Sequence, residues 1–217
     1  MKWLAIETSS EQVSMALGEE ASCLHEVSEK GNASSLVEPI YRRLDVDFSE
    51  IQQCIIGQGP GSYNGLRVGY AFLKGLLCLN PLPVIEVPTP LNLAVAASRR
   101  LSVGEATLLV LNNARREEIY GALVQVQNGI PRLQWEAVAP GTAFPEKLPE
   151  NPVAVVSYDY QAKELPVFSA FPFLSLFPSA GCAGEIACAL NLKPKTRLSD
   201  LEPHYIRAPV PATASRK

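Results

Sequence analysis

At 217 residues, with 47% hydrophobic and 19% charged side chains, the chain can bury a sizeable core, which excludes a disordered protein and fits one large or two small domains. A net charge of −3 argues against direct gripping of nucleic acid, because Arg42-Arg43, Arg99-Arg100 and Arg115-Arg116 are short clusters rather than a basic stripe. Two histidines, His25 and His204, without His-x-x-x-His spacing, exclude a zinc or iron site built on paired histidines. Five cysteines form an odd count with no Cys-x-x-Cys pair, and several sit in apolar runs, the habit of buried free thiols in a reducing compartment. An acid at Glu7 comes too early for a signal peptide and no apolar run nears membrane-spanning length, so a cytoplasmic protein away from membranes is expected.

Trp3 to Ile6 reads as a short buried strand. After Glu7-Thr8-Ser9-Ser10, Val13, Met15 and Leu17 alternate with Ser14 and Ala16 in a second strand, and Gly18-Glu19-Glu20 turns into a third, roughly Ala21 to Val27. Gly31 to Ser35 is a loop offering capping serines to a helix carrying Leu36, Val37, Ile40 and Leu44, with Pro39 in its first turn or so. Strand Cys54 to Ile56, a glycine-rich stretch and a helix from about Leu66 to Leu79 follow, then strand Val84 to Val87 and a helix opened by Thr89-Pro90. This order predicts a mixed sheet with helices against it.

The pattern restarts near Val103-Gly104 with strand Thr107 to Leu111. Strands Ile119 to Val126 and Pro131 to Val138 are joined by a turn at Gln127-Asn128-Gly129. A proline-spaced loop from Pro140 to Pro152, a short strand Val153 to Val156 and an alanine-rich helix Ala180 to Leu190 complete the second half. The predicted division is an N-terminal domain of residues 1–102 and a smaller α/β domain of 103–199. Segment 200–208 is expected to cross back over the first domain, ahead of a frayed tail, 209–217.

Gly57-Gln58-Gly59-Pro60-Gly61-Ser62-Tyr63-Asn64-Gly65-Leu66-Arg67-Val68-Gly69 is the most informative stretch. Strand, glycine-rich turn and helix in sequence can bring backbone close to a ligand or to another backbone, and can aim helix N–H groups at an anion. Gly65 is followed by Leu66 and Arg67 rather than Lys and Ser or Thr, so it is no P-loop, and the dinucleotide and nucleophile-elbow spacings fail as well. An anion cradle and a packing turn both remain open. In the helix that follows, Val68, Phe72, Leu76 and Leu79 line one face, while Tyr70, Leu73 and Leu77 line another. Such a helix is either fully internal or shared with a partner. Glu7-Thr8-Ser9 and Asn113 sit at turns where a nucleotide and its metal could be met, although Asn113 cannot act as a general base.

Taken together, these residues resemble the bacterial TsaB (YeaZ) family, the TsaD-related, glycoprotease-like subunit of the machinery that makes threonylcarbamoyladenosine on tRNA. The resemblance rests on Ile6-Glu7-Thr8-Ser9, the central run Gly57 to Gly69, Val87 to Leu93, Asn113 to Tyr120, and Pro203 to Arg207. It spans almost the whole chain in order, with the central run specific and the others supporting. Gln58 stands where an arginine is common, Asn113 replaces an aspartate, and residues 140–178 match weakly.

The resemblance implies an actin-like (ribonuclease H-like) fold of two tandem α/β domains, each a mixed sheet flanked by helices. It implies a non-catalytic subunit with no cofactor and no metal, which binds and stabilises the TsaD catalytic subunit and supports assembly with the ATPase TsaE. Such a subunit meets tRNA only indirectly and can form a homodimer through the same helices. The expected partner interface is Leu36, Val37, Ile40, Tyr41 and Leu44 with Gly69, Tyr70, Leu73 and Leu77. Gly57, Gly59, Pro60, Gly61, Ser62, Gly65 and Arg67 form a structural glycine loop, and Glu7, Thr8, Ser9 and Asn113 a vestigial nucleotide site. The competing reading is an independent actin-like enzyme transferring a carbamoyl or phosphoryl group with ATP. That reading requires a carboxylate cluster around a metal, for which Glu7 has only Asn113 opposite it.

Overall fold

A computed structural model describes residues 1–115, 117–140 and 152–205. Most of the expected proline-spaced loop, the last residues of the crossing segment and the whole of the expected tail lie outside the described residues. The first sheet is built from β1 (Lys2–Glu7), β2 (Gln12–Glu19), β3 (Ser22–Lys30), β4 (Gln53–Gly59) and β5 (Val84–Pro88), in the order β3-β2-β1-β4-β5. The second contains β6 (Glu105–Arg115), β7 (Glu118–Gln127), β8 (Ile130–Pro140), β9 (Ala154–Ser157) and β10 (Phe173–Ser175), in the order β10-β9-β6-β7-β8. Each sheet is therefore an antiparallel three-stranded meander whose first strand also pairs in parallel with the fourth, and the fourth with the fifth. One topology occurs twice.

Four α-helices are described: α1 (Ala33–Leu44), α2 (Tyr63–Leu77), α3 (Thr89–Leu101) and α4 (Ala180–Ala189). The two-residue alternation of the central strands sorts their side chains between layers. Leu4, Ile6 and Ile56 face α1 and α2, burying Val37, Ile40, Leu73 and Leu77 on one side of the first sheet. Trp3, Ala5 and Ile55 face the other way into a core that also contains Leu93 and Ala94 of α3, Ala183 and Ile186 of α4, and Leu108 and Val110 of β6. Helices α3 and α4 thus fill the space between the sheets. Leu109, Leu111 and Val155 build a separate core on the far side of the second sheet, under Leu165 and Phe168.

Local chemistry moves several predicted boundaries. Asn32, rather than a serine, caps α1: its side-chain oxygen accepts the Ser34 N–H at 3.0 Å. Pro39 lies in the second turn of α1, not the first, and is exposed, so the hydrogen bond lost to Ser35 falls on the solvent side. Helix α2 starts at Tyr63 because Ser62 Oγ accepts the Gly65 N–H, and it ends at Leu77, leaving Leu79 96% exposed.

The chain returns to the first sheet after α4. Lys195 exchanges two backbone hydrogen bonds with Val84, and the His204 N–H donates to the Gln58 carbonyl at 2.8 Å. Glu86 anchors this return. Its carboxylate pairs with Lys195 and accepts from Tyr70 Oη at 2.9 Å and from the Glu202 N–H at 3.1 Å, with the side chain 5% exposed. With Gln58 Nε2 also donating at 3.5 Å, a nearly buried carboxylate with four donors holds them in one geometry. Substituting Glu86→Ala should turn the Glu202 amide from slow to fast hydrogen exchange while the amides of β1 stay protected. Unchanged protection at Glu202 would show that the strand-edge pairing alone holds the segment.

Candidate functional site

The glycine-rich stretch crosses the turn that follows β1. A Cβ built on Gly57 would overlap the Glu7 carboxylate, one on Gly61 or Gly65 the backbone of Ser9 or Thr8, and one on Gly69 the Thr8 hydroxyl. Ser62 N–H closes the contact on the Ser9 carbonyl at 2.6 Å, and Thr89 Oγ1 lies 3.1 Å from Ser9 Oγ. Gly59 has φ +96°, a left-handed conformation that side chains disfavour, where β4 turns out of the sheet into a cis bond to Pro60. The glycines face the backbone and side chains of the Glu7-Thr8-Ser9 turn.

That contact relocates the expected nucleotide-site residues. Glu7, Thr8 and Ser9 are all fully buried beneath the loop and do not line the open cleft. Glu7 Oε1 accepts the Ser9 N–H at 2.8 Å, Oε2 has no partner among the described residues, and burial pushes its carboxyl pKa up. Asn113 is exposed, with its N–H donating to Asp159 Oδ2 at 2.9 Å. Arg67 is exposed and spans one helical turn to donate to Tyr63 Oη at 2.8 Å, its guanidinium 5.3 Å from that ring.

Beside the loop, a cleft of about 530 Å³ opens between the two sheets. One wall is Ser10, Glu11 and the first residues of α1 and α2; the opposite wall is Asn112, Asn113, Tyr120 and Tyr158. His204 and Tyr205 from the returning segment close its rim, with the Tyr205 and Tyr63 rings 5.1 Å apart. Sequence reasoning missed Asn112, which is 3% exposed with neither amide atom partnered among the described residues. Its position on the same sheet face as Val110 was the available signal, visible only once β6 is known to run to Arg115.

The expected partner interface also needs correction. Val37, Ile40, Leu44, Tyr70, Leu73 and Leu77 are at most 3% exposed and pack under the helices against the sheet, while buried Gly69 lies on Thr8. Sheet packing selects that face, because Leu4, Ile6 and Ile56 need a cover of matching size. The outward face of the pair carries Leu36, Tyr41, Val68, Phe72 and Leu76, all half-buried, with Tyr41 and Phe72 edge to face at 5.3 Å. Val68, Phe72 and Leu76 belong to the first of the two apolar faces that the sequence places on α2, and Leu36 and Tyr41 to α1.

Two consequences are measurable. Gly61→Ala should cost about 1–3 kcal/mol by urea unfolding, since its Cβ meets backbone that cannot yield. Gly75→Ala, with open space around it on the exposed side of α2, should instead stabilise by about 0.5–1 kcal/mol. For Glu7, a raised folded pKa means the native state holds more protons than the unfolded one. Its contribution therefore falls as pH climbs from the ordinary carboxyl value near 4.5 through the folded value. Glu7→Gln should gain stability relative to the parent at neutral pH and lose that advantage in mild acid; a pH-independent difference would show that Glu7 is not the titrating group.

The family described as TsaD, tRNA N6-adenosine threonylcarbamoyltransferase, matches residues 20–139, more than half of the chain. The tRNA threonylcarbamoyladenosine biosynthesis protein TsaB of Escherichia coli (strain K12) is 31% identical over 138 residues, 60% of this chain and 58% of that protein. TsaB of Bacillus subtilis (strain 168) is 27% identical over 136 residues, with the same two coverages. The chain thus spans less than two thirds of the length of the curated relatives it matches. The solved structure of YeaZ from Pseudomonas aeruginosa superposes with a TM-score of 0.76 at 25% identity, covering 94% of this chain and 99% of that one. The doubled sheet topology is accordingly the actin-like, ribonuclease H-like α/β fold. With its glycine stretch, topology and sequence likeness in agreement, the chain belongs to the TsaD family, in the TsaB (YeaZ) branch.

Proposed function

We propose that this protein is a non-catalytic subunit in the formation of threonylcarbamoyladenosine on tRNA. It binds and stabilises the TsaD homologue of its cell, supports assembly with the ATPase TsaE, and acts in the cytoplasm. The observation that carries this reading is the outward apolar face of α1 and α2. Leu36, Tyr41, Val68, Phe72 and Leu76 form a contiguous half-covered stripe, with Leu79 96% exposed just beyond the end of α2. A helix pair already buried on its inner side and still apolar on its outer side suits an interface. A homodimer would use the same stripe and compete with the TsaD homologue for it.

Two further observations support the absence of chemistry of its own. Glu7, the acid that metal-assisted phosphoryl transfer would need, is sealed behind the glycine stretch with its pKa raised. The net charge of −3 fits contact with tRNA through the partner rather than directly. No described helix is long and apolar enough to cross a membrane.

The test is substitution on the outward face. Phe72→Glu or Leu76→Glu should leave the melting temperature nearly unchanged and weaken binding to the TsaD homologue by about 30-fold or more, the scale of an interface hot spot. Leu73→Glu, one residue along but buried, should instead unfold the chain. Unimpaired binding by folded Phe72→Glu and Leu76→Glu proteins would move the interface elsewhere.

A further inference from the structure

We propose that residues 202–205 of the returning segment form a conformational strap coupled to α2. A partner held on the outward face of α2 tightens the strap, and release of the strap weakens the partner, a coupling that rests on the partner-binding reading of that face. The segment is rooted firmly up to Leu201 and lightly beyond it. Lys195 exchanges backbone hydrogen bonds with Val84, its Nζ donates to the Asp200 carbonyl at 2.8 Å, and Leu201 is 1% exposed in the core beneath α1 and α2. Past that point Glu202 is exposed, and Pro203, His204 and Tyr205 are half-buried. The Glu202 N–H is held by the Glu86 carboxylate and the His204 N–H by the Gln58 carbonyl. A short stretch with single tethers and few buried contacts opens locally at low cost, which gives it a docked and an undocked state.

Helix α2 touches this stretch by two routes. Tyr63, its first residue, lays its ring against that of Tyr205 with centroids 5.1 Å apart, and Arg67 steadies Tyr63 by donating to its Oη. Further along the helix, Tyr70 Oη donates to Glu86 Oε1 at 2.9 Å, the same oxygen that accepts the Glu202 N–H at 3.1 Å. Two donors on one carboxylate oxygen fix its position together. Loss of the hydroxyl frees the carboxylate to turn toward Lys195 and Gln58, its partners at Oε2. Tyr70 itself is 3% exposed and faces inward, while Val68 and Phe72 on either side of it face out. A partner that immobilises α2 from outside therefore holds Tyr63 and Tyr70 where the docked strap needs them. By reciprocity, the docked strap holds α2 where the partner needs it.

Hydrogen exchange on the full chain, alone and saturated with the TsaD homologue, provides the test. In the chain alone, Tyr70→Phe should speed exchange of the Glu202 and His204 amides about fivefold or more while the amides of β1 stay protected. The TsaD homologue should slow the same two amides of the parent by a similar factor. Tyr70→Phe, too buried to touch a partner, should weaken binding of the TsaD homologue about threefold to tenfold. Should that variant fail to fold, the exposed substitution Tyr63→Ala replaces it in the exchange measurement. Unchanged exchange at Glu202 and His204 in the variant would overturn the coupling, whatever α2 binds. Exchange that the TsaD homologue leaves unaltered, with Phe72→Glu still impairing its binding, would overturn the strap's response to the partner alone. Normal binding by a folded Phe72→Glu protein would overturn the partner-binding reading, and this inference with it.

Discussion

The N-terminal half depends on one close approach, that of the glycines between Gly57 and Gly69 to the Glu7-Thr8-Ser9 turn. β1 is the central strand of its sheet, paired with β2 on one side and β4 on the other, so whatever fixes the end of β1 fixes the sheet. Four missing Cβ atoms let the β4–α2 connection lie directly on that end, where any larger side chain would push the two apart. The approach has its own cost. It shuts Glu7 away from water with one N–H to one of its oxygens and nothing to the other, a burden the fold carries at the base of its tightest contact.

The same approach sets which side of α2 meets the world. Once Gly65 and Gly69 lie on Thr8, Leu66, Tyr70, Leu73 and Leu77 must point into the sheet and Val68, Phe72 and Leu76 away from it. Glycine packing on one side of α2 and the apolar stripe on the other are therefore one design seen from two sides. A change that lifted α2 off the turn would disturb the outward stripe without touching any residue in it.

Much of the architecture was legible because it depends on local rules. Alternation in Trp3 to Ile6 and in Val13 to Leu17, prolines after α2, and the Thr89-Pro90 opening of α3 are set within a few residues, and the structure places elements there. What depends on tertiary contact was not legible. Two apolar faces can be read from α2, but only the sheet determines which is core, and Leu73 and Leu77 prove to be core. Glu7 read as an acid at a turn where a nucleotide and its metal could be met, and no local pattern shows that a loop fifty residues later covers it. Asn112 was hidden for a related reason: in sequence it looks like the start of a polar turn, whereas β6 continues through it and holds its amide at a cleft wall.

The doubled topology explains why a cleft forms and why its two walls differ. In the first sheet the end of β1 is tied to the loop after β4 by the Ser62 N–H on the Ser9 carbonyl. In the second, the end of β6 is tied to the loop after β9 by the Asn113 N–H on Asp159. Both ties lie at the carboxyl ends of parallel strands, where α/β sheets leave a crevice. After β4 the chain enters a long helix, and glycines bring it flush onto β1, so no side chain of Glu7-Thr8-Ser9 is left open. After β9 it makes a compact turn instead, with Ser157 Oγ accepting the Asp159 and Tyr160 N–H groups. That turn secures Asp159 against Asn113 but supplies nothing to Asn112 one residue earlier. The symmetric frame thus produces one strand end covered flush by glycines and another at which the buried Asn112 amide has no partner among the described residues.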